Sequence, residues 1–193
     1  VYTIESTDDK LPDLVSEGAQ SFERLSEKSG RLTVDLDVVA PAPQAEVEDS
    51  RCSDCSSMIT CGDPKIGVLA KDALAKAKLD DKSAPAARAE ALRAFVHKYI
   101  NKKSLDVGFA SAGEVARTRS GDCSEHAVLL CALLRADKIP SRVVSGIVYV
   151  DGFAGQENIF GYHMWAQALL DVDGAKRWID VDAALSPSQP FDA

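Results

Sequence analysis

In this 193-residue chain, the residue whose surroundings most favour catalytic chemistry is a cysteine at the start of a long apolar run. Gly121 and Asp122 are typical of a turn and a helix N-cap, so Cys123 takes the first helical position. Unpaired N–H groups and the positive dipole end favour an anion there, and the thiolate is the nucleophilic form of cysteine. All eight residues at 127–134 are apolar, which predicts a buried helix that holds its first residue still.

Two strand-like runs joined by Asp173-Gly174 can supply partners for this cysteine. The runs span residues 162–170 and 176–182, and Asp-Gly between two β-rich segments is the strongest short signal for a hairpin. A two-residue loop places Val172 opposite Ala175 and sets which residues face each other along both strands. An odd number of loop residues would reverse which side chains share a face.

This register brings one histidine close to one of two aspartates. Trp165 lies opposite Asp182, so His163 is a diagonal neighbour of Asp182, at about 7–8 Å between backbones and within side-chain reach. Asp180 shares the same face but lies opposite Gln167, one pleat further from the histidine. We therefore predict that Asp182, and not Asp180, forms a hydrogen bond with His163.

A thiolate, an imidazole and a carboxylate in this arrangement are typical of acyl transfer. We predict that Cys123 is the nucleophile and that His163 takes its proton and later protonates the leaving amine. Asp182 would fix the tautomer of the histidine and stabilise the imidazolium. The backbone N–H of Cys123 would form part of an oxyanion hole.

Other residues in these stretches have alternative interpretations. His126 lies three residues after Cys123 on the same helical face, so it is either an alternative base or a packed, hydrogen-bonded histidine. Cys131 lies among apolar residues and is expected in the core. Trp165 and Trp178 are expected to be packing residues, although the first adjoins the predicted catalytic histidine and is placed to line a cleft.

The three predicted catalytic residues belong to a wider sequence pattern made of five stretches of the chain. These are residues 121–127, 133–135, 139–144, 163–166 and 178–182. Together they resemble the transglutaminase-like superfamily, in the branch typical of microbial proteins. The resemblance covers residues 63–186 and leaves residues 1–50 outside. It implies a catalytic triad of Cys123, His163 and Asp182, in agreement with the register. A departure is Ala183-Ala184, where the family usually has proline and threonine, and it leaves the local turn open.

The resemblance implies an α+β fold with a papain-like transglutaminase core, in which helices pack on an antiparallel β-sheet and the nucleophile begins a buried helix. It also implies acyl transfer on amides through a thioester, either as hydrolysis of a protein or peptide amide or as glutamine–amine transamidation. The two reactions differ in whether water or an amine reaches the thioester. Because a fold does not choose a reaction, a catalytically inactive protein-interaction module is the alternative.

The composition along the chain divides it into an N-terminal appendage and a catalytic domain. Residues 31–39 alternate apolar and polar side chains, which predicts a strand, and residues 1–5 resemble another strand. Alanines and prolines at residues 40–43, followed by an acidic stretch, predict a linker. We expect an appendage of residues 1–50, either alone or as part of a larger domain, and a transglutaminase-like domain of residues 51–193.

Two helices are predicted between the linker and the nucleophile. Asp63-Pro64 is a start signal for the first. Its apolar positions are Ile66, Leu69, Ala70, Ala73 and Leu74. The second begins near Pro85, and its apolar face consists of Leu92, Phe95, Val96 and Tyr99. His97 falls among the polar positions and is expected to face solvent. Three glycines within residues 151–161 predict a loop that shapes the acceptor side of the site.

The composition also argues against several classes of function. A net charge of −8 and a pI near 4.9 leave no concentrated basic face for nucleic acid. No apolar run approaches the roughly 20 residues that span a membrane, and we expect a protein or peptide substrate. The chain begins at Val1, so we expect that a preceding segment was removed, which leaves extracytoplasmic and cytoplasmic locations open. The oligomeric state is also open.

Five cysteines cannot all pair within one chain. Cys52, Cys55 and Cys61 cluster in the sequence, but zinc needs four ligands and no second Cys or His pair follows at a suitable spacing. We therefore predict no metal site, and the cluster holds either free thiols or one local disulfide. No acidic loop has the ligand spacing of a calcium site, and no cofactor is predicted.

Overall fold

The first part of the chain forms a small antiparallel sheet. The computed structural model describes residues 1–16, 18–35, 37, 40–104, 108–153 and 155–185. The sheet consists of β1 (Tyr2–Glu5), β2 (Gln20–Arg24) and β3 (Ser29–Val34), with β3 in the middle. Two of these strands are predicted from the sequence and β2 is not. In the strand predicted at 31–39, Leu36, Val38 and Val39 lie outside the described residues.

The segment after this sheet packs against the second half of the protein. It contains α1 (Gln44–Val47) and a 3₁₀ turn (Ser50–Cys52), where the sequence predicts a linker. The Glu46 carboxylate accepts hydrogen bonds from Trp178 Nε1 at 2.6 Å and from the Arg142 guanidinium at 2.9 Å. These contacts attach the segment to the later part of the chain, and the division into two domains at residue 50 stays a prediction.

The two predicted helices are present as α2 (Pro64–Lys76) and α3 (Pro85–Tyr99). Asp63 caps α2 by accepting the Lys65 N–H at 2.9 Å. The five apolar positions predicted for α2 are its buried residues. The prediction for His97 is wrong, because the side chain is half-buried and its Nδ1 lies 3.0 Å from the Ala183 carbonyl oxygen. That partner is 86 residues further along the chain and leaves no local pattern.

A short parallel strand pair and two helices lead into the candidate site. They are β4 (Lys102–Lys103), α4 (Ala112–Thr118), β5 (Ser120–Gly121) and α5 (Cys123–Ala136). Every residue of α5 from 124 to 134 is buried, so the buried helix predicted from the apolar run is present and begins at Cys123.

A disulfide loop holds the start of α4. The cysteine cluster contains the bridge Cys55–Cys61, while Cys52 is a half-buried free thiol. Within the loop, the Met58 carbonyl accepts the Ala112 N–H at 2.8 Å. The structure therefore contains the local disulfide that the sequence leaves as one alternative.

The main sheet is antiparallel, with the order β6 (Ser141–Phe153), β7 (Gln156–Val172) and β8 (Ala175–Val181). The prediction of a loop at residues 151–161 is wrong, because β6 and β7 continue almost to their connecting turn. Glycine in a strand costs roughly 0.5–1 kcal/mol, and pairing along the whole hairpin outweighs that penalty. A Cβ on Gly161 would meet nothing within 4 Å, whereas Gly155, with φ of +81°, lies in the turn.

The β7–β8 register is the one predicted from the Asp-Gly turn. Val172 pairs with Ala175, and the pairing continues to Ala166 opposite Val181. Asp173 has φ of +53° and Gly174 of +78°, the positive values that a two-residue hairpin turn of this class requires. The parity on which the site prediction depends is therefore correct.

One hydrophobic core joins the helices to the main sheet. Ala166, Ala168 and Leu170 of β7 are buried together with Leu129 and Leu130 of α5. The predicted α+β architecture, with helices packed on an antiparallel sheet, is thus confirmed. Among the described residues, no helix has both the length and the apolar character needed to cross a membrane.

Candidate active site

A capping box fixes the start of α5. Asp122 Oδ1 accepts the Ser124 backbone N–H at 2.8 Å and its hydroxyl at 2.7 Å, and Glu125 Oε2 accepts the Asp122 N–H at 3.0 Å. Gly121 has φ of +153°, and a Cβ there would lie 2.2 Å from the Glu125 side chain, so only glycine fits. Glu125 is missing from the sequence interpretation, although the spacing Asp-x-x-Glu before an apolar run is its signal. These contacts hold Cys123 at the first helical position.

His163 lies between Asp182 and Cys123. Its Nε2 is 2.5 Å from Asp182 Oδ2, and the Asp182 side chain is only 1% exposed. Cys123 lines the same cleft and interacts with the ring, whose Nδ1 is the nitrogen not engaged by Asp182. Burial favours the neutral ring, but the hydrogen bonds and charges of Asp182 and Cys123 outweigh it and raise the pKa of His163 to about 9. The structure thus brings together the three residues predicted as catalytic.

Helix α3 holds the turn that carries Asp182. Asp182 Oδ1 accepts the Ala184 N–H at 2.6 Å, which directs the other oxygen to the histidine. The Arg93 guanidinium donates to the Asp182 carbonyl at 3.1 Å, and His97 bonds the next carbonyl. Arg93 and His97 are missing from the predicted site. Their four-residue spacing on one helix face is the only sequence signal for them.

Asp180 bonds a tryptophan and not the histidine. Its Oδ1 accepts Trp165 Nε1 at 2.5 Å and Gln167 Nε2 at 2.9 Å. Burial raises the pKa of Asp180, and these hydrogen bonds oppose the increase. The Trp165 ring stacks on His163, with centroids 6.1 Å apart and planes at 17°. A Cβ on Gly146 would lie 2.7 Å from this ring, so a glycine opposite His163 makes room for the stack.

In the described part of the chain, His126 lacks the carboxylate contact that His163 makes. His126 is 1% exposed and its Nδ1 bonds the Asp122 carbonyl oxygen, as expected for a packed, hydrogen-bonded histidine. Burial lowers the pKa of His126 below its usual value, which favours the neutral ring. His126 does not line the cleft that contains Cys123. Cys131 is fully buried, as expected for a core residue.

A cleft of about 460 Å³ contains Cys123 and His163. Its other walls include Phe109 from the loop before α4, and Ile147 and Tyr162 from the β6–β7 hairpin. No cluster of three or more His, Cys, Asp or Glu side chains in the described ranges could hold a metal ion. The arrangement can deliver a sulfur nucleophile to a carbonyl and exchange protons through His163.

Comparisons with known proteins agree with this geometry at the level of family and fold. Residues 72–183, more than half of the chain, match the sequence profile of the transglutaminase-like superfamily. A candidate cysteine protease from Cytophaga hutchinsonii has a similar structure, with TM-score 0.58 and 15% identity over 94% of this chain and 73% of that one. The ethylmercury-bound periplasmic domain of TgpA from Pseudomonas aeruginosa has TM-score 0.54 and 17% identity over 97% and 77%. No curated protein sequence matches the chain.

Proposed function

Because the chain belongs to the transglutaminase-like superfamily, we propose that it is a cysteine-dependent acyltransferase or amidase that acts on amides of proteins or peptides. The observation that carries the proposal is the contact of His163 with both Asp182 and Cys123 at the start of a buried helix. Neither His126 nor Asp180 has contacts of this kind in the described structure. Cys123, His163 and Asp182 are accordingly the proposed catalytic residues.

In the proposed reaction, His163 takes the thiol proton and the Cys123 sulfur attacks the amide carbonyl carbon. The Cys123 N–H donates to the oxyanion that forms. The C–N bond then breaks, His163 protonates the leaving amine, and a thioester remains on the cysteine. Water or a second amine attacks this thioester, its proton passes to His163, and the C–S bond breaks. Asp182 keeps the ring oriented and stabilises its charged form throughout.

Access of water to the cleft bears on which acceptor is used. Tyr162 on the cleft wall is 94% exposed, so the thioester would lie near solvent. Water is then the acceptor whenever no amine occupies the site, and hydrolysis is the expected default reaction. Transamidation requires that a bound amine displaces this water.

The nucleophile is tested by alkylation with iodoacetamide at about pH 6, followed by mass spectrometry of each cysteine. Cys123 should react fastest, since burial raises the pKa of Cys131 to about 12 and also raises that of Cys52, while the other two cysteines form a disulfide. His163→Ala should slow the reaction of Cys123 by roughly 100-fold, because it removes the base and the adjacent positive charge.

The matched control is His126→Gln, which changes the other histidine near the cysteine and should leave this rate within about twofold if the variant melts normally. A larger effect of His126→Gln than of His163→Ala would assign the base to the helix. If Cys123 reacts no faster than Cys52 in the native protein, the catalytic proposal fails and an inactive interaction module is favoured.

A further inference from the structure

Half of the β6–β7 hairpin extends beyond the end of β8. β8 pairs with β7 only from Ala166 onwards, so residues 156–165 of β7 are paired with β6 alone in the described sheet. Ile147 lies opposite Tyr162 and Tyr149 opposite Phe160, so these four side chains share one face. All four are exposed, from 47% for Tyr149 to 94% for Tyr162. We call them the hairpin face.

The hairpin face begins inside the cleft of the nucleophile. Ile147 and Tyr162 line that cleft together with Cys123, and Phe109, 69% exposed, adds a third large apolar side chain. The second pair, Tyr149 and Phe160, lies further out and packs against Tyr2 of β1 through Phe160. An exposed apolar surface continuous with a reactive cleft indicates a binding surface for the substrate rather than scattered surface residues.

The charged groups of the cleft are already engaged. Among its described lining residues, Asp122 and His163 are the acidic and basic side chains besides the thiol of Cys123. Asp122 accepts two hydrogen bonds from Ser124, and His163 is held by Asp182 and the cysteine. A charged substrate group would be desolvated against this face without a partner, which is costly. The face is therefore suited to apolar and aromatic groups.

The position of the face relative to His163 indicates which part of the substrate it contacts. Neighbouring residues of a strand project from opposite faces, so the shared location rests on the cleft itself, which Ile147, Tyr162 and His163 all line. His163 is the group that exchanges a proton with the amine. Ile147 and Tyr162 therefore share the cleft with the group that exchanges a proton with the amine.

From this juxtaposition, and resting on the proposed function, we propose that Ile147 and Tyr162 bind a large apolar or aromatic group carried by the amine component. In hydrolysis this group is the side chain of the residue on the amine side of the cleaved bond. In the reverse direction the same surface selects the acceptor: the amine nitrogen attacks the thioester carbonyl, the C–S bond breaks, and the amine proton passes through His163 to the Cys123 sulfur.

The test measures how an acetylated Cys123 divides between amines and water. p-Nitrophenyl acetate acylates the protein, and either 2-phenylethylamine or ethanolamine is added at equal concentration and fixed pH. The ratio of N-acetyl amide to acetate is divided by the reactivity of each amine with a free acetyl thioester in solution. This ratio does not depend on the rate of acylation. It should be roughly 10-fold higher for the aromatic amine, the low end for one apolar group in an open site.

Variants assign any preference to the proposed surface. Ile147→Ser/Tyr162→Ser should bring the two amines within about twofold, since the lost discrimination is that of one apolar contact. Both positions are more than half exposed, so the double variant should fold. The matched control is Tyr149→Ser, the same substitution at a position of the face that does not line the cleft, and it should keep the preference.

The outcomes separate this inference from the proposed function. If p-nitrophenolate is released at the same rate by wild type and Cys123→Ala, the nucleophile assignment fails, and the inference fails with it. If acylation depends on Cys123 but both amines partition equally, only the inference is overturned. Retention of the aromatic preference in Ile147→Ser/Tyr162→Ser also overturns it.

Discussion

The two halves of β7 differ in what covers them. Residues 166–172 pair with β6 or β8 along their length, and Ala166 and Ala168 are completely buried against the helices. In the other half, Phe160 and Tyr162 are 54% and 94% exposed. His163 lies just beyond the part of β7 that pairs with β8, between the covered half of the strand and the exposed half.

The difference leaves an open cleft beside His163 while the core stays packed. β8 ends at Val181, and the next residue, Asp182, leaves the ladder and bonds His163 from the side where a further strand pair would lie. The covered half holds the histidine backbone in place. The uncovered half leaves open space beside the Cys123 sulfur, where the proposed reaction would place its substrate. Three predictions test this division.

The largest contrast is expected between the two carboxylates near the end of β8. Asp182→Asn should reduce turnover by roughly 10⁴-fold, because an amide can stabilise the wrong tautomer of His163. Asp180→Asn should cost far less, since Asp180 bonds Trp165 and Gln167. Both are measured on one substrate or, failing a substrate, by the alkylation rate of Cys123. If Asp180→Asn is the more damaging, the catalytic carboxylate must be reassigned.

A smaller contrast is expected in stability between the two halves. Leu170→Ala, in the covered half and 4% exposed, should lower the free energy of unfolding by about 2–5 kcal/mol, since it leaves a cavity in the core. Tyr162→Ala in the uncovered half should change it by about 0.5 kcal/mol or less. Denaturant unfolding of both variants provides the measurement. A loss at Tyr162 as large as that at Leu170 would mean that the hairpin face is part of the packing.

The smallest expected effect is the pH dependence of stability that arises from His163, at the boundary between the two halves of β7. The pKa of His163 rises from 6.5 to about 9 on folding, so its protonation favours the folded state. This contribution is fully present below about pH 6.5, is lost as the pH rises through about 9, and amounts to at most about 3 kcal/mol. The difference in unfolding free energy between wild type and His163→Ala should therefore shrink over this range. A difference that grows with pH would contradict the raised pKa.

Local signals in the sequence predict much of the site. The Asp173-Gly174 turn determines the register of β7 and β8, and the register predicts the contact of His163 with Asp182. The helix starts at Asp63 and Asp122 are also local, because a cap and the first turn lie within a few residues. Turns, caps and apolar periodicity act over short distances, so one sequence reveals them.

The parts that the sequence does not predict depend on distant partners. The glycines of residues 151–161 suggest a loop by their intrinsic preference, whereas pairing along the whole hairpin makes the segment a strand. His97 falls among the polar positions of its helix, but its ring bonds the Ala183 carbonyl oxygen. Glu46 lies in the predicted linker, but its carboxylate accepts a hydrogen bond from Trp178. In each case a tertiary contact overrides a local preference, and spacing alone cannot identify the partner.

The attachment at Glu46 has a consequence for how the chain can be cut. The stretch recognisable by family, residues 72–183, excludes Glu46, and a fragment with those ends would leave Trp178 Nε1 and Arg142 without their shared acceptor. It would also lack the Cys55–Cys61 loop that holds α4. A recombinant fragment that keeps these contacts must begin at or before Ala42, whose N–H bonds Lys176. The contacts that attach to the matched stretch thus extend beyond its ends.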